Sequence, residues 1–263
     1  MDHKFKKKFG QNFIKDNTLI KKIVSYAAID KDSLVIEIGP GAGALTEELC
    51  LSSKYVLAYE IDLDLKDKLE ELKKDNNNLE IIFDDFLKRD VIKDIKKYDY
   101  KHLYVISNLP YYITTPIINK IITDKIDVEK LVIMVQKEVA SRFLAKSNSR
   151  DYSSLTVFLN YHFDIKKLFD VSRNVFVPKP NVDSSVVELK RKKDKINVKD
   201  IDFFYKLVRD SFRFKRKNIK NNLNGYNLDK IKEILEKYNL DLTVRAEDLD
   251  LDIFIEICNN LCN

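Results

Sequence analysis

Leu34-Val35-Ile36-Glu37-Ile38-Gly39-Pro40-Gly41-Ala42-Gly43-Ala44 is the stretch that decides the fold of this 263-residue chain. Leu34–Ile38 reads as a buried strand, the glycines as the turn that closes it, and Ala44 as the opening of a helix. Glu60 ends the next apolar run, Tyr55–Tyr59, and lies 19 residues beyond Gly41. This is the layout of a nucleoside site at the carboxyl edge of a doubly wound sheet. Glycines let a ligand approach the backbone, and an acidic side chain takes the two ribose hydroxyls.

Further strand-like runs follow at Leu79–Phe83, His102–Ser107, Leu131–Val135, Leu155–Phe163 and Ser184–Lys190, with a brief one at Lys167–Val171. Helical patterns separate most of them, beginning with a helix through Ala28 that Asp16 can cap. The order predicts an α/β fold: a mainly parallel, doubly wound sheet covered on both faces, with an antiparallel pair at one edge. Past the basic run Lys190–Lys195, Asp200–Phe214, Leu228–Tyr238 and Leu249–Leu261 keep helical spacing, with Gly225 and Asn239 as stops. The division expected is therefore a sheet domain over 1–192 and a small all-helical domain over 193–263.

A content of 44% hydrophobic and 34% charged residues supports a real core and excludes a disordered chain. No apolar run approaches a membrane span and no secretory signal pattern opens the chain, so a cytoplasmic protein without a membrane role is expected. Cys50, Cys258 and Cys262 are an odd set, and His3, His102 and His162 are scattered, so no spacing points to a metal. The net charge of +5 is modest, but it is clustered at Lys4, Lys6, Lys7 and Lys8, at Lys190, Arg191, Lys192 and Lys193, and at Arg209, Arg213, Lys215, Arg216, Lys217 and Lys220. Solvated faces often look like this; three clusters also suit a polyanionic partner.

The charge of the glycine loop narrows its ligand. Gly39-x-Gly41-x-x-Ala44 also fits the dinucleotide fingerprint. Two residues count against a pyrophosphate: Pro40 offers no N–H, and Glu37 would repel the dianion. A ligand with a cation and an amino group fits better, and S-adenosylmethionine carries a sulfonium and an ammonium. Asp84-Asp85 closes the third strand, where a carboxylate can accept from an adenine amine or cap a helix; the pattern favours neither residue.

Asn108-Leu109-Pro110-Tyr111 follows the run ending at Ser107 and therefore sits where a strand turns. The Asn108 amide oxygen and a Leu109 carbonyl held outward by Pro110 can accept from an exocyclic amine, and Tyr111 offers a ring for a base to stack on. The other reading is a proline turn whose tyrosine packs inward.

At this point the chain resembles the KsgA-type 16S ribosomal RNA adenine dimethyltransferases. The likeness is carried by Lys8-Phe9-Gly10-Gln11-Asn12-Phe13, Glu37-x-Gly39-Pro40-Gly41, Asn108-Leu109-Pro110-Tyr111, Gln136-Lys137-Glu138-Val139 and Tyr152-x-Ser154-Leu155. It continues through Phe176-x-Pro178-x-Pro180-x-Val182-Asp183-Ser184 and Arg245-Ala246-Glu247-Asp248-Leu249. The resemblance implies a Rossmann-like methyltransferase sheet, S-adenosylmethionine as cofactor, and 16S rRNA of the small ribosomal subunit or its precursor as partner; nothing in the sequence suggests an obligate dimer, so a monomer without a metal is expected. It further implies that Asn12, Ile14, Gly39, Glu60, Asp85 and Asn108 hold the cofactor. Asn108, Leu109, Pro110 and Tyr111 would carry the catalysis, with Tyr111 and Phe176 enclosing the target base, and the helical domain would recognise RNA. Tyr112 departs from the pattern, since bacterial members usually carry Asn there. Two readings stand beside this one: a resistance-conferring methyltransferase of large-subunit rRNA, and a noncatalytic assembly or transcription factor on the same scaffold.

Overall fold

The computed structural model describes residues 13–110, 112–194 and 196–262. Its strands are β1 (Phe13–Ile14), β2 (Ser33–Ile38), β3 (Tyr55–Tyr59), β4 (Leu79–Ile82), β5 (His102–Asn108), β6 (Lys130–Gln136), β7 (Phe163–Val171), β8 (Phe176–Val177) and β9 (Ser184–Arg191). Its helices are α1 (Asn17–Ala27), α2 (Ala44–Ser52), α3 (Lys66–Asp75), α4 (Val91–Ile95), α5 (Thr114–Thr123), α6 (Lys137–Phe143), α7 (Ser154–His162), α8 (Ile201–Ser211), α9 (Ile219–Asn222), α10 (Leu228–Lys237) and α11 (Leu251–Leu261).

The main sheet runs β4-β3-β2-β5-β6-β9-β7. The pairs from β4 to β6 are parallel and β9 lies antiparallel on β6. β1 and β8 form a separate antiparallel ribbon. The central strands are apolar on both faces because helices cover both, and β2 is buried throughout. α1 shows how the covering helices arise. The Asp16 side chain accepts from the amides of Thr18 and Leu19, and Ile20, Ile23, Val24 and Ala27 bury one face.

The chain divides into two compact units: residues up to Ala140 with Lys166–Arg191, and Ser141–Ile165 with Lys192 onward. The first holds the core beneath the sheet, and the second is built around Phe204, Leu207, Ile231, Leu235, Phe254 and Ile257. One expected strand is corrected here. Leu155–Phe163 is not a strand; Ser154–His162 is helix α7. The run is buried on more than one side, so its apolar pattern suits strand and helix equally. The Ser153 amide donates to the Thr156 hydroxyl at 3.2 Å, a local helix-start bond. Val157 and Tyr161 of this helix lie in the helical unit's core, as does Ile219 of α9, a short helix the spacing did not predict.

β3 is braced from below. The Tyr59 hydroxyl donates to Asp94 at 3.2 Å, and Arg89 grips the same carboxylate through Nε at 2.8 Å and Nη2 at 3.0 Å. Burial pushes the Asp94 carboxyl up, but the Arg89 fork and the Tyr59 hydroxyl outweigh it and hold the group below the usual aspartate range. Asp94→Ala should cost about 2–3 kcal/mol in denaturant unfolding, because it strands the buried Tyr59 hydroxyl and frees the fork. A depressed native pKa stabilises above the unfolded value of about 3.9 and is lost as pH falls through the native one. The gap between wild type and Asp94→Ala should therefore be full at neutral pH and close in acid; a gap constant to pH 2 would remove the charge from the explanation.

Candidate nucleoside and adenine site

The sheet order makes the site. β2 is followed by β3 on one side, while the chain after β4 crosses to β5 on the other, so the carboxyl ends of β2 and β5 form a switch point. The β2–β5 ladder stops at Ile36–Val105, although β2 runs to Ile38 and β5 to Asn108. Beyond it, β2 pairs with β3 to Ile38–Tyr59, and β5 pairs with β6 to Asn108–Met134. The two strands part, bridged by the Ser107 hydroxyl donating to the Ile38 carbonyl. A cavity of about 310 Å³ opens above this parting.

The glycine loop forms one wall. Gly39, Gly41 and Gly43 all have φ in the left-handed region, and at Gly41 a Cβ would also strike the Phe13 ring at 2.6 Å. The Gly39 amide donates to the Tyr59 carbonyl at 2.9 Å and the Glu60 amide to the Ile82 carbonyl at 3.0 Å, so the ends of β2, β3 and β4 are stitched together. Glu60, 4% exposed, faces the cavity with its carboxylate already aimed. Oε2 accepts from the Gly41 amide at 3.2 Å and Oε1 from the Asp62 amide at 2.8 Å. Burial raises its pKa against the pull of those backbone amides.

Glu37 lines the cavity, fully buried; neither its Oε2 atom nor the buried Thr46 hydroxyl makes a hydrogen bond of good geometry, although Thr46 lies close enough to pull the Glu37 carboxyl down against its burial. Asp84 and Asp85 both line the cavity. Asp84 is engaged by its neighbour's amide and by Arg89 at 3.5 Å, while Asp85 accepts from the Leu87 amide at 3.0 Å.

Asn108, Leu109 and Pro110 form the opposite wall, with Asn108 placed by its register against Met134. The Pro110 carbonyl accepts from the Ile113 amide at 3.1 Å, which ties the loop to the start of α5. Ile14, Gly39, Glu60, Asp85, Asn108, Leu109 and Pro110 are thus all brought to one cavity. Asn12 and Tyr111, with Lys4, Lys6, Lys7 and Lys8, lie outside the described residues. Phe176 is not on the cavity wall. Its ring is 2% exposed in the core, on a strand whose register pairs it with Ile14. Ile61, Phe86, Tyr112 and Ile113 line the cavity without having been singled out as ligand contacts. Their signal was adjacency, since each follows a candidate polar residue by no more than three positions.

Among the described residues no cluster of His, Cys, Asp and Glu could hold a metal ion, and no helix is long and apolar enough to cross a membrane. Cys258 and Cys262 remain thiols with sulfurs 3.9 Å apart. Arg191 spends its guanidinium on the carbonyls of Ile126 and Val128, and Lys192 reaches the Asn160 carbonyl, so that basic run has structural work. In the run from Arg209 to Lys220 all six cations are exposed, with Lys215 donating to the Arg150 carbonyl at 3.1 Å.

Residues 2–262 match the family model described as ribosomal RNA adenine dimethylase. The chain is 40% identical to the ribosomal RNA small subunit methyltransferase A of Oceanobacillus iheyensis, over 97% of this chain and 90% of that protein. It is 41% identical to the protein of the same name from a Geobacillus species, over 98% and 91%. Among solved structures, a dimethyladenosine transferase from Plasmodium falciparum superposes with a TM-score of 0.78 at 28% identity, covering 93% of this chain and 95% of that one. The 23S rRNA methyltransferase ErmE does so with a TM-score of 0.74 at 25% identity, covering 96% and 100%. With its switch-point cavity and a family match along nearly its whole length, the chain belongs to the ribosomal RNA adenine dimethylase family.

Proposed function

We propose that this chain is an S-adenosylmethionine-dependent enzyme that dimethylates the N6 amines of two adjacent adenines near the 3′ end of 16S rRNA, during biogenesis of the small ribosomal subunit. The observation that carries the reading is the gathering of Glu60, Asp85 and Asn108-Leu109-Pro110 around one cavity. The residues also fit the cofactor: a buried glutamate oxygen without a partner suits a cation, and Pro40 in the loop offers a phosphate no N–H. Glu60 would take the ribose hydroxyls, Asp85 the adenine amine, and Asn12, Ile14 and Gly39 the remaining cofactor contacts.

When bound, S-adenosylmethionine supplies a methyl group on a positively charged sulfur. The adenine N6 lone pair is delocalised into its ring, and the protein's task is to recover it. The Asn108 amide oxygen and the Leu109 carbonyl accept the two N–H groups, which favours a more tetrahedral nitrogen and aims its lone pair. Pro110 holds that loop, and Tyr111 supplies the stacking face. Positioning of this kind is worth about 7–11 kcal/mol when the geometry is ideal. The base must leave its stack, at a cost of a few kcal/mol that stacking on an aromatic ring offsets. After one transfer one N–H remains, so one of the two acceptors can still hold the nitrogen for a second.

The deciding experiment is methyl transfer from labelled cofactor to small subunits lacking the dimethyladenines, with large-subunit RNA as competitor. Label recovered as dimethyladenine from 16S rRNA supports the reading. Label in large-subunit RNA alone identifies the resistance enzyme, and tight RNA binding without transfer identifies the noncatalytic factor.

The helical unit is proposed to recognise the RNA as a monomeric protein in the cytoplasm, through the exposed run from Arg209 to Lys220. Each phosphate neutralised should contribute about 0.7 to the slope of log affinity against log salt on single-stranded RNA. Replacing Arg213, Lys215 and Arg216 by Gln should flatten that slope; an unchanged slope would remove the run from the interface.

A further inference from the structure

Glu37 is a buried ionisable group on the cavity to which the transfer step gives no role. It is 2% exposed, and its Oε2 atom makes no hydrogen bond of good geometry. Its surroundings do not favour a charge. Burial is the dominant influence and pushes its carboxyl up to about 8, against the Thr46 hydroxyl close beside it and reinforced by the Glu60 carboxylate at the end of β3. From α2, the Cys50 thiol is itself pushed up to about 12 by burial and by the carboxylates of Glu37 and Glu47, so it stays protonated. Among the described residues, then, the charged group acting on Glu37 is another acid.

We propose that Glu37 is a neutral acid in the ligand-free protein and ionises when the cationic methionine end of the methyl donor seats beside it, so that cofactor binding expels a proton. The inference rests on the cofactor reading above. The O–H bond of the carboxyl breaks, its electron pair stays on the carboxylate, and the proton leaves to solvent. The partnerless oxygen gains its counter-charge only in the loaded state, which spares the ligand-free fold an uncompensated buried anion. Because a proton must leave, affinity should rise with pH, by roughly tenfold per unit through the window below the ligand-free pKa. It should flatten above about 8.

The test is titration calorimetry with S-adenosylmethionine at pH 7, in buffers of different ionisation heat, on wild type and Glu37→Gln. Wild type should release close to one proton, meaning roughly 0.9 at one unit below the ligand-free pKa. Glu37→Gln should bind more weakly and release none. Infrared difference spectra should show a protonated-carboxyl band lost when cofactor is added to wild type; should Glu37→Gln fail to fold, that band decides alone. Binding by wild type without proton release, or equal release by the variant, overturns the inference and leaves the cofactor reading standing. Absence of any binding to wild type overturns both.

Discussion

Asn108→Ala should lower methyl transfer by about 10²–10³-fold while weakening cofactor binding far less. The estimate is that of losing one preorganised hydrogen-bonding group at a reacting centre. The side chain closes β5 opposite Met134, where the strand has left β2 and lines the cavity. Its amide oxygen is proposed to accept one N–H of the target amine, a bond that strengthens as the nitrogen pyramidalises. Loss should therefore appear in kcat rather than in KM for the cofactor. The Leu109 carbonyl remains as the second acceptor, which predicts measurable residual turnover. Single-turnover transfer beside cofactor titration separates the two effects. Near wild-type turnover would mean that Asn108 only closes the strand.

Glu60→Gln should show the opposite division. Cofactor affinity should fall by about 10–100-fold, the scale of losing a charged acceptor to ribose hydroxyls. Transfer at saturating cofactor should be less affected. The folded protein should not be weakened in proportion, because burial already works against the Glu60 charge. One amide-accepting oxygen survives in the variant, so the contacts to the Gly41 and Asp62 amides are not both lost. Calorimetric affinity and a melting curve on the same sample check both halves. Loss of stability with affinity intact would make Glu60 a brace for the glycine loop and nothing more.

The legible parts of the molecule were those where one local rule acts alone. Strand-loop-helix at Leu34–Ala44 and the strand ends near Glu60 and Asn108 are short apolar runs closed by a turn or an acidic or amide residue, and the structure keeps them at those places. Leu155–Phe163 misled because an apolar run buried on several sides has no period to read; its helix opens on the Ser153–Thr156 contact and packs Val157 and Tyr161 into the helical unit's core. The bracing of Tyr59 by Asp94 and Arg89 was invisible for another reason. It joins residues up to 35 positions apart in a polar stretch that carries no pattern. In the site, polar residues announced themselves by charge, whereas Ile61, Phe86 and Ile113 became wall residues only once β3, β4 and β5 were aligned. Phe176 illustrates the limit of likeness: the motif supplies the residue, but the β1–β8 pairing sets its ring in the core.

The parting of β2 from β5 has a consequence for how such a protein can change. A crevice lined by small side chains can be closed by any enlarging substitution. Here the opening is made by the path of the main chain, because the ladder ends at Ile36–Val105 while both strands run on to other partners. Exchange of Ile61, Phe86 or Tyr112, which line the cavity, should therefore change what it prefers more readily than whether it exists, so that its specificity is open to change one residue at a time.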